Sequence, residues 1–287
     1  MATILKGAEV TKALNERIAA DAAWLREQGV IPSLAIVRVG AREDDISYER
    51  GAIKRCENNG VSVRHIVLPE TVTQEVLVQE IETLNADSTV HGILLFQPLP
   101  KHLDGEAVRK ILDPQKDVDG ITDGSLASIF SGSGVGFAPC TAQACMEILD
   151  HFQIDCTGKH AVVIGRSLVV GKPAAVLLLG RNATVTVCHT RTVDMPAIAR
   201  KADILLVAAG KAEVIGREYL SEGQIVLDVG IHVNSDGTLC GDVCFEEAEP
   251  IVSAITPVPG GVGTVTTSVL VSHVVQAAKR SLVCCVE

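Results

Sequence analysis

The feature that most constrains this chain is an alternation of two hydrophobic periods, one strand-like and one helix-like, along nearly its whole length. Residues 8–28 carry apolar side chains at helical spacing, and Ser33-Leu34-Ala35-Ile36-Val37-Arg38-Val39 follows as a strand that stops at Gly40. The pattern predicts an amphipathic helix over 44–59, a strand over 61–68 and a helix over 73–85 opened by a threonine cap. Gly92 to Phe96 reads as a short buried strand, closed by the rigid Pro98-Leu99-Pro100. Residues 113–140 interrupt the rhythm: Asp113-Pro114-Gln115-Lys116-Asp117-Val118-Asp119-Gly120 is rich in turn formers, and Ser131-Gly132-Ser133-Gly134-Val135-Gly136 reads as a mobile loop. The alternation then resumes with helix 141–151, strand 160–164, helix 170–180, strand 184–188, helix 194–201, strands 204–207 and 225–229, and a closing helix over 262–280.

Such repetition implies α/β architecture, with parallel strands joined by right-handed crossovers. The break at 113–140 marks a domain boundary, and residues 141–270 read as a Rossmann-like doubly wound parallel sheet. Composition agrees, since 47% of the 287 residues are apolar but only 3% aromatic, which suits aliphatic strands covered on both faces. A formal charge of −10 argues against a nucleic-acid partner, because phosphate backbones need a basic surface. The nine cysteines form no CxxC pair and no spacing with histidine that would hold zinc, so they read as reduced thiols with no metal. Apolar runs such as Ala174 to Leu179 fall far short of the roughly 20 residues of a membrane span. With no leader pattern at the start, a soluble cytoplasmic protein is expected.

One turn carries chemistry. The strand Ala161-Val162-Val163-Ile164 runs into Gly165-Arg166-Ser167-Leu168-Val169-Val170-Gly171-Lys172-Pro173 and then a helix. Glycines there let a backbone approach a pyrophosphate, and the helix start supplies oriented N–H groups. The spacing is not GxGxxG, so a plain tight turn also fits; the position at the start of a βαβ unit favours a dinucleotide. The next strand ends at His189-Thr190-Arg191-Thr192 with no acidic residue for ribose hydroxyls. Arg191, Thr190 and Arg166 would suit a 2′-phosphate, hence NADP with NAD as the alternative, unless both arginines are simply solvated.

At this point a resemblance emerges. Gly165-Arg166-Ser167-x-x-Val170-Gly171-x-Pro173, Asp228-Val229-Gly230-Ile231 and Thr256-Pro257-Val258-Pro259-Gly260-Gly261-Val262-Gly263 resemble the methylenetetrahydrofolate dehydrogenase/cyclohydrolase family. So do Lys116-Asp117-Val118-Asp119-Gly120 and Pro139-Cys140-Thr141, in the same order along the chain. The resemblance implies a folate-binding catalytic domain over 1–140, to which the C-terminal helix (about 270–287) returns, and a cofactor domain over 141–270. It further implies a tetrahydrofolate substrate in the cleft between them and a homodimer. Asp119 would hydrogen-bond the pterin ring and Tyr48 would line the folate pocket, with Gln97, Pro259, Gly260 and Gly261 also touching substrate. Gly165, Arg166, Ser167, Val170, Gly171, Thr190, Arg191, Ile231 and Gly263 would bind the cofactor. Asp119 by itself also fits a turn-capping role.

The sequence departs from the family where its second activity resides. Bifunctional members carry Tyr-x-x-x-Lys after the first strand; here the lysine position is Ala52, four residues after Tyr48. Lys54 is displaced by roughly 200° around the helix. The family's partner glutamine falls at Phe96, and Gln97 lies one residue along, facing the other way on a strand. Milder departures place Ala142 and Thr264 where the family has proline. Hydride loss from the methylene carbon needs alignment rather than a protein acid or base, whereas opening the methenyl ring with water needs proton transfers. The expectation is therefore 5,10-methylenetetrahydrofolate dehydrogenase activity with cyclohydrolase activity weak or absent. Two alternatives stand: a bifunctional enzyme recruiting Lys54, and a non-catalytic folate- or dinucleotide-binding relative. Retention of both the cofactor turn and the Thr256–Gly263 segment argues against the last.

Overall fold

The computed structural model of the chain describes residues 1–284. In chain order its elements are β1 (Thr3–Ile4), α1 (Gly7–Glu27), β2 (Ser33–Val39), α2 (Glu43–Asn58), β3 (Ser62–Leu68), α3 (Gln74–Ala86), β4 (Gly92–Leu95), α4 (Gly105–Ile111) and α5 (Asp123–Ser131). They continue with α6 (Cys140–His151), β5 (His160–Ile164), α7 (Gly171–Gly180), β6 (Thr184–Cys188), α8 (Met195–Ala199), β7 (Ile204–Val207) and β8 (Ile225–Asp228). The chain ends through β9 (His232–Val233), β10 (Leu239–Cys240), α9 (Phe245–Ala248), β11 (Ala254–Ile255) and α10 (Val262–Cys284). Among the described residues no helix is long and apolar enough to cross a membrane.

Two compact units share these elements. Met1–Lys12 groups with Thr141–Thr266, and Ala13–Cys140 groups with the chain from Thr267 onward. These units differ from the expected segments at the start of the chain. Residues 1–12 do not group with the rest of 1–140, because β1 adds to the sheet of the unit that holds Thr141–Thr266: the Thr3 N–H donates to the Ser253 carbonyl at 2.8 Å and the Leu5 N–H to Ile255 at 2.9 Å. The last helix changes unit between Thr266 and Thr267, a few residues before 270.

The first of these units is built on a six-stranded parallel sheet in the order β1-β11-β8-β7-β5-β6. Ala161–Ile164 and Ile204–Val207 are buried along their whole length, as central parallel strands require when helices cover both faces. Val162, Leu205, Val226 and Ile255 pack into one core with Val243, Ala248 and Val252.

The other unit carries a three-stranded parallel sheet, β3-β2-β4. All seven residues of the central β2 are buried, whereas the edge strand β3 alternates in exposure. Leu77, Ile81, Val108 and Leu112 from α3, α4 and the residue beyond pack against Ala35, Val37, Ile93 and Leu95. The α3 helix opens as expected, with Thr73 Oγ1 accepting from the Val76 N–H at 3.4 Å.

The stretch read as turns and a mobile loop contains α5, with α4 just before it. Each is capped by its own side chain: Asp104 accepts from the Glu106 and Ala107 N–H groups, and Thr122 from that of Ser125. Gly132 ends α5 in the left-handed conformation (φ 70°), so part of the Ser/Gly run is a helix terminus. Helices of seven and nine residues offer too few apolar repeats for periodicity to register.

Candidate active site

In the six-stranded unit, the chain leaves β5 at Gly165 with φ 125°. A Cβ on Gly165 would lie 2.2 Å from the Ala208 carbonyl oxygen, and one on Gly171 would lie 2.2 Å from that of Gly165, so the turn closes only on glycine at both places. Ser167 shapes the interior: its Oγ accepts from the Val170 N–H at 3.1 Å and its carbonyl from the Lys172 N–H at 3.0 Å. Arg166, Ser167, Leu168 and Val169 stand exposed on this turn, with the apolar Leu168 and Val169 left 55% and 60% open. A glycine-held, exposed strand-to-helix turn at the C-terminal end of a parallel sheet fits a dinucleotide pyrophosphate. Thr190 and Arg191 are exposed just beyond β6, the strand that pairs with β5. The Arg191 N–H donates to His189 Nδ1 at 3.1 Å.

Two buried carboxylates hold the neighbouring loops. Asp242, fully buried, accepts from the backbone N–H groups of Ala209 (2.6 Å), Gly210 (3.0 Å) and Lys211 (2.9 Å), and its Oδ1 lies 2.7 Å from His232 Nε2. Asp228 accepts from the N–H groups of Gly230, Asp242 and Val243 at 2.9–3.0 Å. Burial pushes its carboxyl up to about 6 despite these bonds. Together they tie the chain after β7 to that after β8, leaving Ile231 exposed. Thr256 Oγ1 accepts from the Asp228 N–H at 2.8 Å and starts the Pro257–Gly261 turn. There the Gly7 N–H donates to the Gly260 carbonyl at 2.8 Å; Pro259, Gly260 and Gly263 are exposed and Gly261 is buried.

The three-stranded unit gathers a different set. The α2 helix is fastened to β2 by a buried ion pair: Arg38 Nε lies 3.3 Å from both carboxylate oxygens of Glu49, and His65 Nε2 lies 2.7 Å from Glu49 Oε1. That attachment sets the rotation of α2. Ala52 and Cys56 turn fully inward, Tyr48 one turn earlier keeps 37% of its surface open, and Lys54 is exposed. The Tyr48 ring meets Phe96 edge-on, with centroids 5.9 Å apart, and its hydroxyl is hydrogen-bonded to Thr267 of α10. Burial, then the nearby Cys140 and Asp119, raise the Tyr48 pKa, so the phenol stays protonated. Asp119 is hydrogen-bonded to the Cys140 thiol, and burial pushes its carboxyl up to about 7. Neighbouring Asp117, fully buried, accepts from the Ile121 and Thr122 N–H groups at 3.0 and 2.8 Å.

The comparisons with known proteins bear on both units. A family described as "Tetrahydrofolate dehydrogenase/cyclohydrolase, catalytic domain" matches residues 5–119, and its partner, "Tetrahydrofolate dehydrogenase/cyclohydrolase, NAD(P)-binding domain", matches 139–282. The chain belongs to the tetrahydrofolate dehydrogenase/cyclohydrolase family. The "Bifunctional protein FolD" of Carboxydothermus hydrogenoformans is 49% identical over 97% of this chain and 98% of its own length. The crystal structure of the Campylobacter jejuni bifunctional enzyme FolD superposes with TM-score 0.94 at 38% identity, covering 98% of this chain and 99% of that one. The Trypanosoma brucei methylenetetrahydrofolate dehydrogenase-cyclohydrolase, solved with NADP cofactor and an inhibitor, gives 0.90 at 36% identity over 98% of both chains. As a member of this family, the chain is an NAD(P)-dependent enzyme of one-carbon folate chemistry with two α/β domains.

Within this family framework, Tyr48 and Asp119 come together in one unit, and the cofactor-turn residues, Thr190, Arg191, Ile231 and the Pro259–Gly263 segment gather at strand ends of the other. Of the two residues that follow β4, Phe96 meets the Tyr48 ring, while Gln97, expected to touch substrate, has its Oε1 within 3.5 Å of where a Cβ on Gly105 would stand. Residues the sequence did not single out are Glu49, Asp242, Thr267 and His273, which act through partners 10 to 219 positions away.

Two measurements follow. Glu49→Ala leaves the Arg38 guanidinium buried without its partner, and should cost about 3–5 kcal/mol in urea denaturation. The pH dependence of stability carries a signature of Asp119. Its folded pKa, about 7, lies above the unfolded carboxyl, so the folded state holds a proton the unfolded chain has released. This contribution to stability is full at pH below about 4, declines as pH rises and is gone above about 7. Asp119→Asn should therefore gain melting temperature relative to the parent between pH 4 and 7 and hold that gain above it.

Proposed function

We propose that this chain is a 5,10-methylenetetrahydrofolate dehydrogenase that uses NADP, and that it opens the methenyl ring with water weakly or not at all. The observation that carries the reading is the face of α2 that holds Tyr48: the next turn is a fully buried alanine, Ala52, and Lys54, two residues further along, is exposed to solvent. The bound nicotinamide would accept the hydride. The chain's own residues bind and orient: ionised Asp119 accepts from the pterin N–H donors, the Tyr48 ring lines the folate pocket, and the backbone of Pro259–Gly261 packs near the reacting carbon. Lone pairs on the folate nitrogens drive the departure of hydride, so alignment suffices. Ring opening needs a proton shuttle, and neither Ala52 nor Phe96 can move a proton. The resemblance also supports a homodimer in the cytoplasm.

A second reading, the bifunctional one, is favoured by the names of the relatives, which are called bifunctional at 49% identity. In that reading Lys54 would serve as the base. Following reduction of the cofactor at 340 nm, and separately the loss of the methenyl chromophore, distinguishes the two. We expect hydride transfer with NADP and methenyl hydrolysis at least about 10²-fold slower. Hydrolysis at a comparable rate that Lys54→Ala abolishes would establish the bifunctional reading, and absence of any change at 340 nm would sink both.

Cofactor choice is tested in the same assay. Each of Arg166→Ala and Arg191→Ala should raise the KM for NADP by about 10- to 100-fold, the loss of a charge-assisted bond to phosphate, and that for NAD by less than about threefold. With Asp119 needed as its carboxylate, kcat/KM should fall as pH drops below about 7.

A further inference from the structure

A histidine on the closing helix lies next to the predicted pterin carboxylate, and no motif in the sequence pointed to it. His273 is 4% exposed, and its Nδ1 lies 2.8 Å from the carbonyl oxygen of Val118, the peptide group that leads directly into Asp119. The Cys140 Sγ lies 3.3 Å from the same carbonyl oxygen and 3.8 Å from His273 Nδ1, while its thiol is also hydrogen-bonded to the Asp119 carboxylate. The imidazole is stacked on Phe137 with centroids 4.7 Å apart, and the Arg280 guanidinium sits 4.1 Å from the centre of that ring. Arg280 is held in turn by the Val135 and Gly136 carbonyls.

We propose that His273 is a positioning residue for Asp119, fixing the Val118 carbonyl and the Cys140 thiol that together set the direction of the carboxylate. The inference rests on the reading above that Asp119 meets the folate ring. Its chemistry is simple. An imidazole that donates from Nδ1 must carry its proton there, and burial pushes its pKa down to about 4, so the ring stays neutral and the donor is present throughout the working pH range. With one lone pair of the Val118 carbonyl taken by His273, the 118–119 peptide plane cannot rotate without losing a buried hydrogen bond. The Cys140 thiol, held against the same oxygen, then approaches the carboxylate from a fixed side. The titratable and charged groups facing this cluster are Tyr48 from α2, Asp117 beside Asp119, Cys140 at the start of α6, and Arg280 further along α10. None of them replaces the Nδ1–H donor.

The test uses the full chain and three variants, each checked for its melting temperature: His273→Phe, which keeps a stacking ring and removes the donor; His273→Asn, which restores a donor; and Asp119→Asn. With His273→Phe we expect the KM for methylenetetrahydrofolate to rise about tenfold, kcat to change less than about twofold, and the KM for the nucleotide to stay unchanged. The acid limb of kcat/KM should move to lower pH, because a loosened carboxylate admits water and loses part of the burial that raises its pKa. His273→Asn should return the folate KM to within about threefold of the parent. Unchanged folate KM and pH limb in His273→Phe, beside a damaged Asp119→Asn, would overturn the proposal and spare the site. Equal increases in both KM values in His273→Phe would overturn it as general loosening. If Asp119→Asn itself is as active as the parent, the reading of Asp119 fails instead. Should His273→Phe fail to fold, His273→Asn decides alone: a folate KM more than about tenfold above the parent, with the nucleotide KM unchanged, would count against rescue by the donor and against the proposal.

Discussion

Parallel strands impose a direction on everything else in this molecule. Neighbouring strands that run the same way must be joined by crossovers, and the crossovers leave the C-terminal strand ends facing a common side in each sheet. The glycine turn follows β5, the Thr190–Arg191 pair follows β6, the Asp242-bound loop follows β7, Ile231 follows β8 and the Thr256–Gly261 turn follows β11. In the smaller sheet, Phe96 and Gln97 follow β4. Helix-covered strands need little more than Val, Ile, Leu and Ala, so the strands specify the frame while the segments at their ends remain free to carry glycine, arginine and carboxylates.

Those segments are held in place largely by buried charge. Asp117, Asp228 and Asp242 each accept two or more backbone N–H groups, and each fixes a loop that would otherwise bury unpaired donors. Asp119 differs: it is hydrogen-bonded to a thiol, a weak donor, and burial dominates, which is why its carboxyl rises to about 7. A carboxylate poised in this way gains most from a ligand that brings N–H donors of its own. The contrast within Asp117-Val118-Asp119 separates a carboxylate satisfied by backbone N–H groups from one that is not, two residues apart.

Rotation of one helix governs which chemistry the three-stranded unit offers. The Arg38–Glu49 pair, with His65 behind it, holds α2 so that residues 48, 52 and 56 line one face. Periodicity placed Tyr48 and Ala52 on a common face and Lys54 off it, and the structure has Ala52 buried and Lys54 exposed. The same reasoning separated Phe96 from Gln97 just beyond β4: Phe96 meets the Tyr48 ring, and Gln97 Oε1 lies toward Gly105.

Local patterning alone determined the strands and long helices, the glycine turn, the motif residues at the strand ends and the family, because each depends on neighbours a few positions apart. Short elements escaped it: β1, β11 and the β9–β10 pair have two residues per strand, and α4 and α5 have little apolar repeat. Tertiary structure decided what rests on distance along the chain. It moved residues 1–12 to the six-stranded unit through β1–β11 pairing, since a two-residue strand has no identity until a partner more than 200 positions away supplies its hydrogen bonds. It also brought Thr267 to Tyr48 and His273 to Val118, contacts that no spacing rule encodes because they arise only when the later part of α10 packs within the three-stranded unit.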